Sequence, residues 1–183
     1  MTPDRVSFAA GDVGDWTIET IRAVCGQTLR AAPRLARLEG ATFQVPVGSI
    51  WVIDGVRSND RYVNRVEKNQ LVARQAELGR SESTCGALIP ITKTAAWWRL
   101  TQDERRAIFE ERSQHIAIGL EYLPAVARRL YHCRDLGSEW DFLTWFEYAD
   151  SDREAFDELV VRLRETEEWR YVEREVDIRV TRN

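Results

Sequence analysis

TQDERRAIFEERSQHIAIGLEYLPAVARRLYHCRDL, residues 101–136, is the stretch that decides how this chain folds. It opens on a helix start. Thr101 caps the first turn, and Glu104, three residues on, reaches back to the cap amide. Asp103 and Glu104 also suit the positive end of the helix dipole. The helix continues through Ile108 and Phe109 to Ile116, Ala117, Ile118 and Leu120. His115 lies two turns beyond Ile108 and turns inward with them. Gly119 follows one turn later, where a small residue would leave room beside the imidazole. Leu123-Pro124 breaks the helix, and 125–133 reads as a strand. It carries Arg128, Leu130 and His132 on one face and Arg129 on the other. An inward histidine on a helix and an arginine on the adjacent strand are the candidate chemistry.

Working outward, Leu136-Gly137-Ser138 reads as a hairpin turn and 141–149 as the return strand. Ser151 or Asp152 caps a helix with Phe156, Leu159, Val160 and Leu163 at helical spacing, and 171–180 is the last strand. Upstream, CGALIPIT (85–92) is an apolar strand that Pro90 would place at an edge or a bulge. From Cys85 the order is strand, helix, strand, strand, helix, strand, the split ferredoxin-like arrangement. In the first half, 1–14 reads as irregular, 16–24 and 49–57 as strands, and Pro46 with Gly48 as a turn. The Ala/Arg-rich segment 26–40, interrupted by Pro33, suits a short helix or an edge loop. Ser58-Asn59 offers a cap or turn before a helix over 61–78 that Gly79 stops. The expected fold is α+β, one domain over 1–183. A shortened ferredoxin-like half (1–84) lies beside a complete one (85–183), forming an open barrel with a pocket between sheet and helices.

Composition excludes several function classes. The 183 residues are 44% hydrophobic and 31% charged, an ordinary globular balance. The formal charge is −4 with basic residues interspersed among acids, which argues against a nucleic-acid surface. No apolar run is long enough for a membrane span, and the N-terminus lacks a secretory pattern, so a cytoplasmic location is expected. Cys25, Cys85 and Cys133 form no CxxC pair and, with two histidines, no zinc set; buried reduced thiols are expected. No P-loop, GxGxxG or hydrolase motif is present. Seven tryptophans against one methionine suit either rigid core filler or an aromatic-lined pocket that meets oxidants.

From the residues alone, two readings of His115 stay open. It is a core histidine bonded to a carbonyl, the commoner case, or an axial ligand to haem iron. In the second case a carboxylate on its far nitrogen, from Glu165, Glu167 or Glu168, would strengthen it as a donor. Arg128 is either a strand-face ion pair or a permanent cation for a small oxyanion. Lys93 and Tyr62 could hold haem propionates, and Trp97 could pack on a porphyrin or fill the core.

Several words of the chain resemble the short form of the chlorite dismutase family: SNDRYVNRVEK (58–68), CGALIPITK (85–93), the run 97–137, DFLTWFEYA (141–149) and 156–179. The resemblance implies two ferredoxin-like halves per subunit, a homodimer forming a dimeric α+β barrel, and haem b as cofactor. It also implies conversion of chlorite to chloride and dioxygen. Carried over residue by residue, His115 matches the proximal iron ligand and Arg128 the distal arginine. Glu168, beside Glu167, matches the carboxylate on the proximal imidazole. Gln75 resembles the distal glutamine that partners the arginine. Tyr62, Lys93 and Trp97 match haem-contacting positions, and Leu130, Thr144 and Phe146 resemble distal walls. Coproheme decarboxylases of the same superfamily typically carry a glutamine in place of the distal arginine, so Arg128 favours the dismutase branch. A haem peroxidase and a haem-binding or coproheme-handling protein are the alternatives.

Overall fold

A computed structural model describes residues 5–40, 42–57 and 62–182; the cap or turn expected at Ser58-Asn59 lies outside the described residues. Eight strands, β1 (Arg5–Gly11), β2 (Trp16–Cys25), β3 (Arg34–Glu39), β4 (Trp51–Arg57), β5 (Cys85–Lys93), β6 (Ala127–His132), β7 (Phe142–Tyr148) and β8 (Val172–Thr181), close into a barrel. Their order around it is β1-β3-β2-β8-β5-β7-β6-β4. Neighbouring strands are antiparallel throughout. The barrel is therefore closed rather than open, and closure leaves no edge. Pro90 accordingly sits inside the sheet, between β7 and β8. The ladder to β8 runs through Leu88↔Ile178 and resumes at Ile91↔Glu175, so it is interrupted where proline has no N–H to offer.

Strand alternation sorts side chains into two cores. Val6 and Phe8 of β1, Leu88, Tyr131, Leu143, Trp145 and Ile178 fill the barrel. Ala87, Ile89, Ile91 and Phe146 point outward from β5 and β7. There they meet α4 (His115–Glu121) and α5 (Arg153–Arg164). The apolar stripe of α5 is the expected one, Phe156, Leu159, Val160 and Leu163, all buried. Each such side chain contributes roughly 1.5–3 kcal/mol by leaving water. The three cysteines are free thiols, and burial pushes Cys133 up to about 12.

Strands β5 to β8 lie in the order β8-β5-β7-β6 and strands β1 to β4 in the order β4-β1-β3-β2, so the two quartets share one strand order. The first quartet spans its crossovers without helices. Strand β2 begins level with the start of β3, opposite Leu35, where β1 ends, so four residues bridge them. Gly14 permits this: a Cβ there would sit 2.3 Å from the Leu35 backbone. Between β3 and β4 the chain runs back along the outside of β1. Phe43 lies under the Arg5 guanidinium at one end, and Ser49 lies against Gly11 at the other. Beneath this strap the outward residues of β1 are the small Ser7 and Ala9, both buried. Residues 5–11 are thus a strand where irregular chain was expected, and 34–39 a strand where a helix or loop was expected.

The first described helix, α1 (Arg65–Arg74), begins with an Asn64/Glu67 capping box and buries none of its residues. It ends at Gln75, four residues before Gly79. After α2 (Ala95–Arg99), α3 (Gln102–Arg106) starts on the expected Thr101/Glu104 capping box. The expected single helix does not continue. A π-helical stretch (Ala107–Arg112) follows, and Gln114 turns left-handed (φ 53°) before α4 restarts at His115. Among the described residues no helix is long and apolar enough to cross a membrane.

Candidate functional site

A cavity of about 890 Å³, counted to its open mouth, separates the outer face of β5, β6 and β7 from α4, α5 and the chain after α5. Its walls are mainly apolar and aromatic, and both His115 and Arg128 open onto it.

His115 is the first residue of α4. Its Nδ1 lies 2.7 Å from Glu168 Oε2, which leaves Nε2 as the nitrogen available to a metal. Phe109 stacks on the imidazole at 4.3 Å between centroids. Glu168, 4% exposed, also accepts from Lys93 Nζ at 2.6 Å through Oε1, and its backbone N–H donates to Ser113 Oγ at 2.9 Å. Burial alone would raise this carboxyl. The Lys93 and His115 charges and hydrogen bonds outweigh burial and pull it down to about 2. Of the three glutamates the sequence offered, Glu168 is the one on the histidine. Glu167 instead pairs with Arg112 at 2.9 Å on the surface.

Lys93, expected to meet propionates, is spent on Glu168. Its ammonium lies over Trp97 (4.6 Å) and Trp169 (5.4 Å). Trp97 is buried beside the cavity, and its Nε1–H has no partner among the described residues. Tyr62, in a left-handed conformation (φ 63°), packs against Trp97 and Phe109 at the same wall. Leu130, Thr144 and Phe146 line the sheet side of the cavity.

Arg128 projects from β6 across the cavity to α4. Gly119, four residues after His115, is the notch that receives it: a Cβ there would sit 2.4 Å from Arg128 Nη1. The small residue makes room for the guanidinium, not for the imidazole as expected. Burial lowers the proton affinity of Arg128 and the Glu110 charge partly opposes this; an arginine so shifted remains a cation. No carboxylate among the described residues forms an ion pair with it. Gln75 does not meet the guanidinium either. Its Nε2 donates to the Arg128 carbonyl at 2.7 Å, so it holds the strand rather than the charge.

The sequence reading missed Phe109 as a stacking partner, Ser113 as the anchor of Glu168, and His132 as a cavity-wall residue. It also missed Glu110, which accepts from the backbone amides of Ile116 (2.6 Å) and Ala117 (3.3 Å). The π-helical stretch hides Glu110 and Ser113. At 3.6 residues per turn, Glu110 falls roughly 140° away from His115. His132 did show a signal, since it alternates with Arg128 and Leu130.

Comparison with known proteins places this geometry. The family model described as chlorite dismutase matches residues 11–183. The dimeric chlorite dismutase of Nitrobacter winogradskyi is 56% identical, with a TM-score of 0.89 over 97% of this chain and 99% of that one. The chlorite dismutase of Candidatus Nitrospira defluvii shares the fold at 21% identity, with a TM-score of 0.73 over 100% and 93% of the two chains. The chlorite dismutase of Ideonella dechloratans is 37% identical over 84 residues, 46% of this chain and 27% of that protein, so the match spans about a quarter of that relative's length.

Proposed function

The chain belongs to the chlorite dismutase family, and on that premise we propose that it is a haem b enzyme converting chlorite to chloride and dioxygen. One observation carries the reading. An imidazole tied back by a buried carboxylate and an arginine without a carboxylate partner among the described residues face the same aromatic-walled cavity. The strand orders of the two quartets support reading the subunit as two ferredoxin-like units, the first without its helices. The 56% identical relative, described as dimeric, supports a homodimer.

The residues present fit a haem. His115 would hold the iron through Nε2, and the orphaned Nε1–H of Trp97, with Tyr62, would meet the carboxylates. Leu130, Thr144 and Phe146 would wall the opposite face. When bound, the iron supplies the redox chemistry by which Cl–O bonds break and the O–O bond forms. The chain's own groups do the rest. Glu168, kept ionised, accepts the hydrogen bond from Nδ1–H and makes His115 the stronger donor. Lys93 acts through Glu168, holding its charge. Arg128 supplies a fixed positive charge in a poorly solvated cavity, where an oxyanion is bound more firmly than in water. Retention is what the reaction requires, since a chlorine oxyanion that leaves early ends turnover and damages the protein.

The test is an oxygen-electrode trace of the haem-loaded protein given chlorite, with peroxide plus a dye as the competing assay. Oxygen release supports the reading; dye turnover without oxygen release favours a peroxidase. His115→Ala should purify with little haem; a full haem complement would remove it as the ligand. Arg128→Ala should keep haem, lose most turnover and inactivate sooner. Unchanged turnover and durability would reject its role. Light scattering checks the dimer.

A further inference from the structure

We propose that Glu110 is a positioning residue for His115, a carboxylate clamp that fixes the start of the helix on which the imidazole stands. The proposal rests on His115 being the iron ligand. Helix α4 has only seven residues, and His115 is its first. The residue before it, Gln114, gives no side-chain cap and is left-handed at φ 53°. A short helix entered this way has first-turn amides that need acceptors. Glu110 supplies them, bonding Ile116 N at 2.6 Å and Ala117 N at 3.3 Å from five residues before His115.

The π-helical stretch makes this reach possible. It swings Glu110 back over the amides, and its Phe109 stacks on the imidazole. Ser113, which caps that segment, holds the backbone of Glu168. One segment therefore orients both the imidazole and the carboxylate bonded to it. Glu110 is also the acid whose charge acts on Arg128, so loosening the clamp disturbs both walls of the cavity.

The test compares Glu110→Ala, Glu110→Asp and, as a control, Glu111→Gln at the exposed neighbour. In the haem-free chain, amide exchange at Ile116 and Ala117 should quicken in Glu110→Ala and stay unchanged in the control. In the loaded protein, transfer of haem to apomyoglobin should quicken about tenfold, the size expected when a supporting contact behind a metal ligand is lost. The iron–histidine stretching band of the ferrous form should shift or broaden. Glu110→Asp keeps the charge but is one methylene short, and should show the same changes at smaller size. Unchanged amide exchange together with an unchanged band overturns the proposal. A wild-type protein with haem but no iron–histidine band removes His115 as ligand, and with it the imidazole role of Glu110. The exchange result then decides the clamp alone.

Discussion

Glu168 is buried between Lys93 and His115, so its titration is a statement about stability. Its carboxyl titrates near 2 in the folded chain against an ordinary value of 4.5. The unfolded chain therefore takes up this proton first on acidification. The stabilisation is fully present above pH 4.5 and is lost as pH falls from there toward 2, on the order of 3 kcal/mol in all. Glu168→Gln should be less stable than wild type at neutral pH, and the gap should shrink through that window, as read by urea unfolding of the haem-free chain. A gap that widens on acidification would refute the assignment. Gly119 gives a second prediction. A methyl group there meets the far end of the flexible Arg128 side chain, which can move aside. Alanine also gains helix propensity of about 1 kcal/mol. Gly119→Ala should therefore keep or raise the melting temperature while chlorite kcat/KM falls. A lowered melting temperature with intact turnover would mean that the notch serves packing instead.

At the scale of elements, the first quartet depends on two crossovers that replace helices, and the tighter one turns at Gly14. A side chain there would meet backbone, not a flexible tip, and φ is +153°. Gly14→Ala should cost at least about 3 kcal/mol in chemical denaturation. Val72→Ala on α1, which buries nothing, should stay within about 0.5 kcal/mol. Equal effects would mean that the short crossover is not under this constraint. The same crossovers explain what the sequence concealed. Strands β2 and β4 to β8 showed as alternation or as apolar runs bounded by turn residues. Strand β1 did not, because the strap over it requires Ser7 and Ala9 on its outer face and erases the polar contrast. Strand β3 did not, because Arg37 turns inward to Glu39, Glu147 and Tyr131, reversing the usual sign of burial. The helix break at 107–114 was hidden for another reason: π geometry leaves no mark in a 3.6-residue pattern. Yet His115 and Arg128 were legible, since each needs only its local period to face inward. The Glu168 bond was chosen among three candidates by resemblance, because a contact across 53 residues has no local signature.

For the whole molecule, the ring of strands is uneven. Strand β5 pairs with β7 and with β8 over seven positions each, and β6 with β7 over six. Among the described residues the β2–β3 and β4–β6 seams have two paired positions each. These seams divide the barrel into a three-stranded sheet, β3-β1-β4, and a five-stranded one, β2-β8-β5-β7-β6. The cooperative division therefore does not fall between the two halves of the chain, since β2 belongs with the later strands. What holds the smaller sheet in place is interior packing, with Phe8 of β1 set against Trp145 at 5.4 Å and Tyr131 at 5.9 Å. Elements joined by few hydrogen bonds open below the global free energy. Phe8→Ala, which should cost about 3–5 kcal/mol, ought to be felt mainly as opening of that unit. Native-state hydrogen exchange should show faster exchange across β3, β1 and β4 while β5, β7 and β8 keep their protection. The cavity wall on β6 and β7 belongs to the larger unit, so haem retention should survive the substitution far better than stability does. Uniform loss of protection across all eight strands, or haem lost in proportion to stability, would show instead that the barrel opens only as a whole.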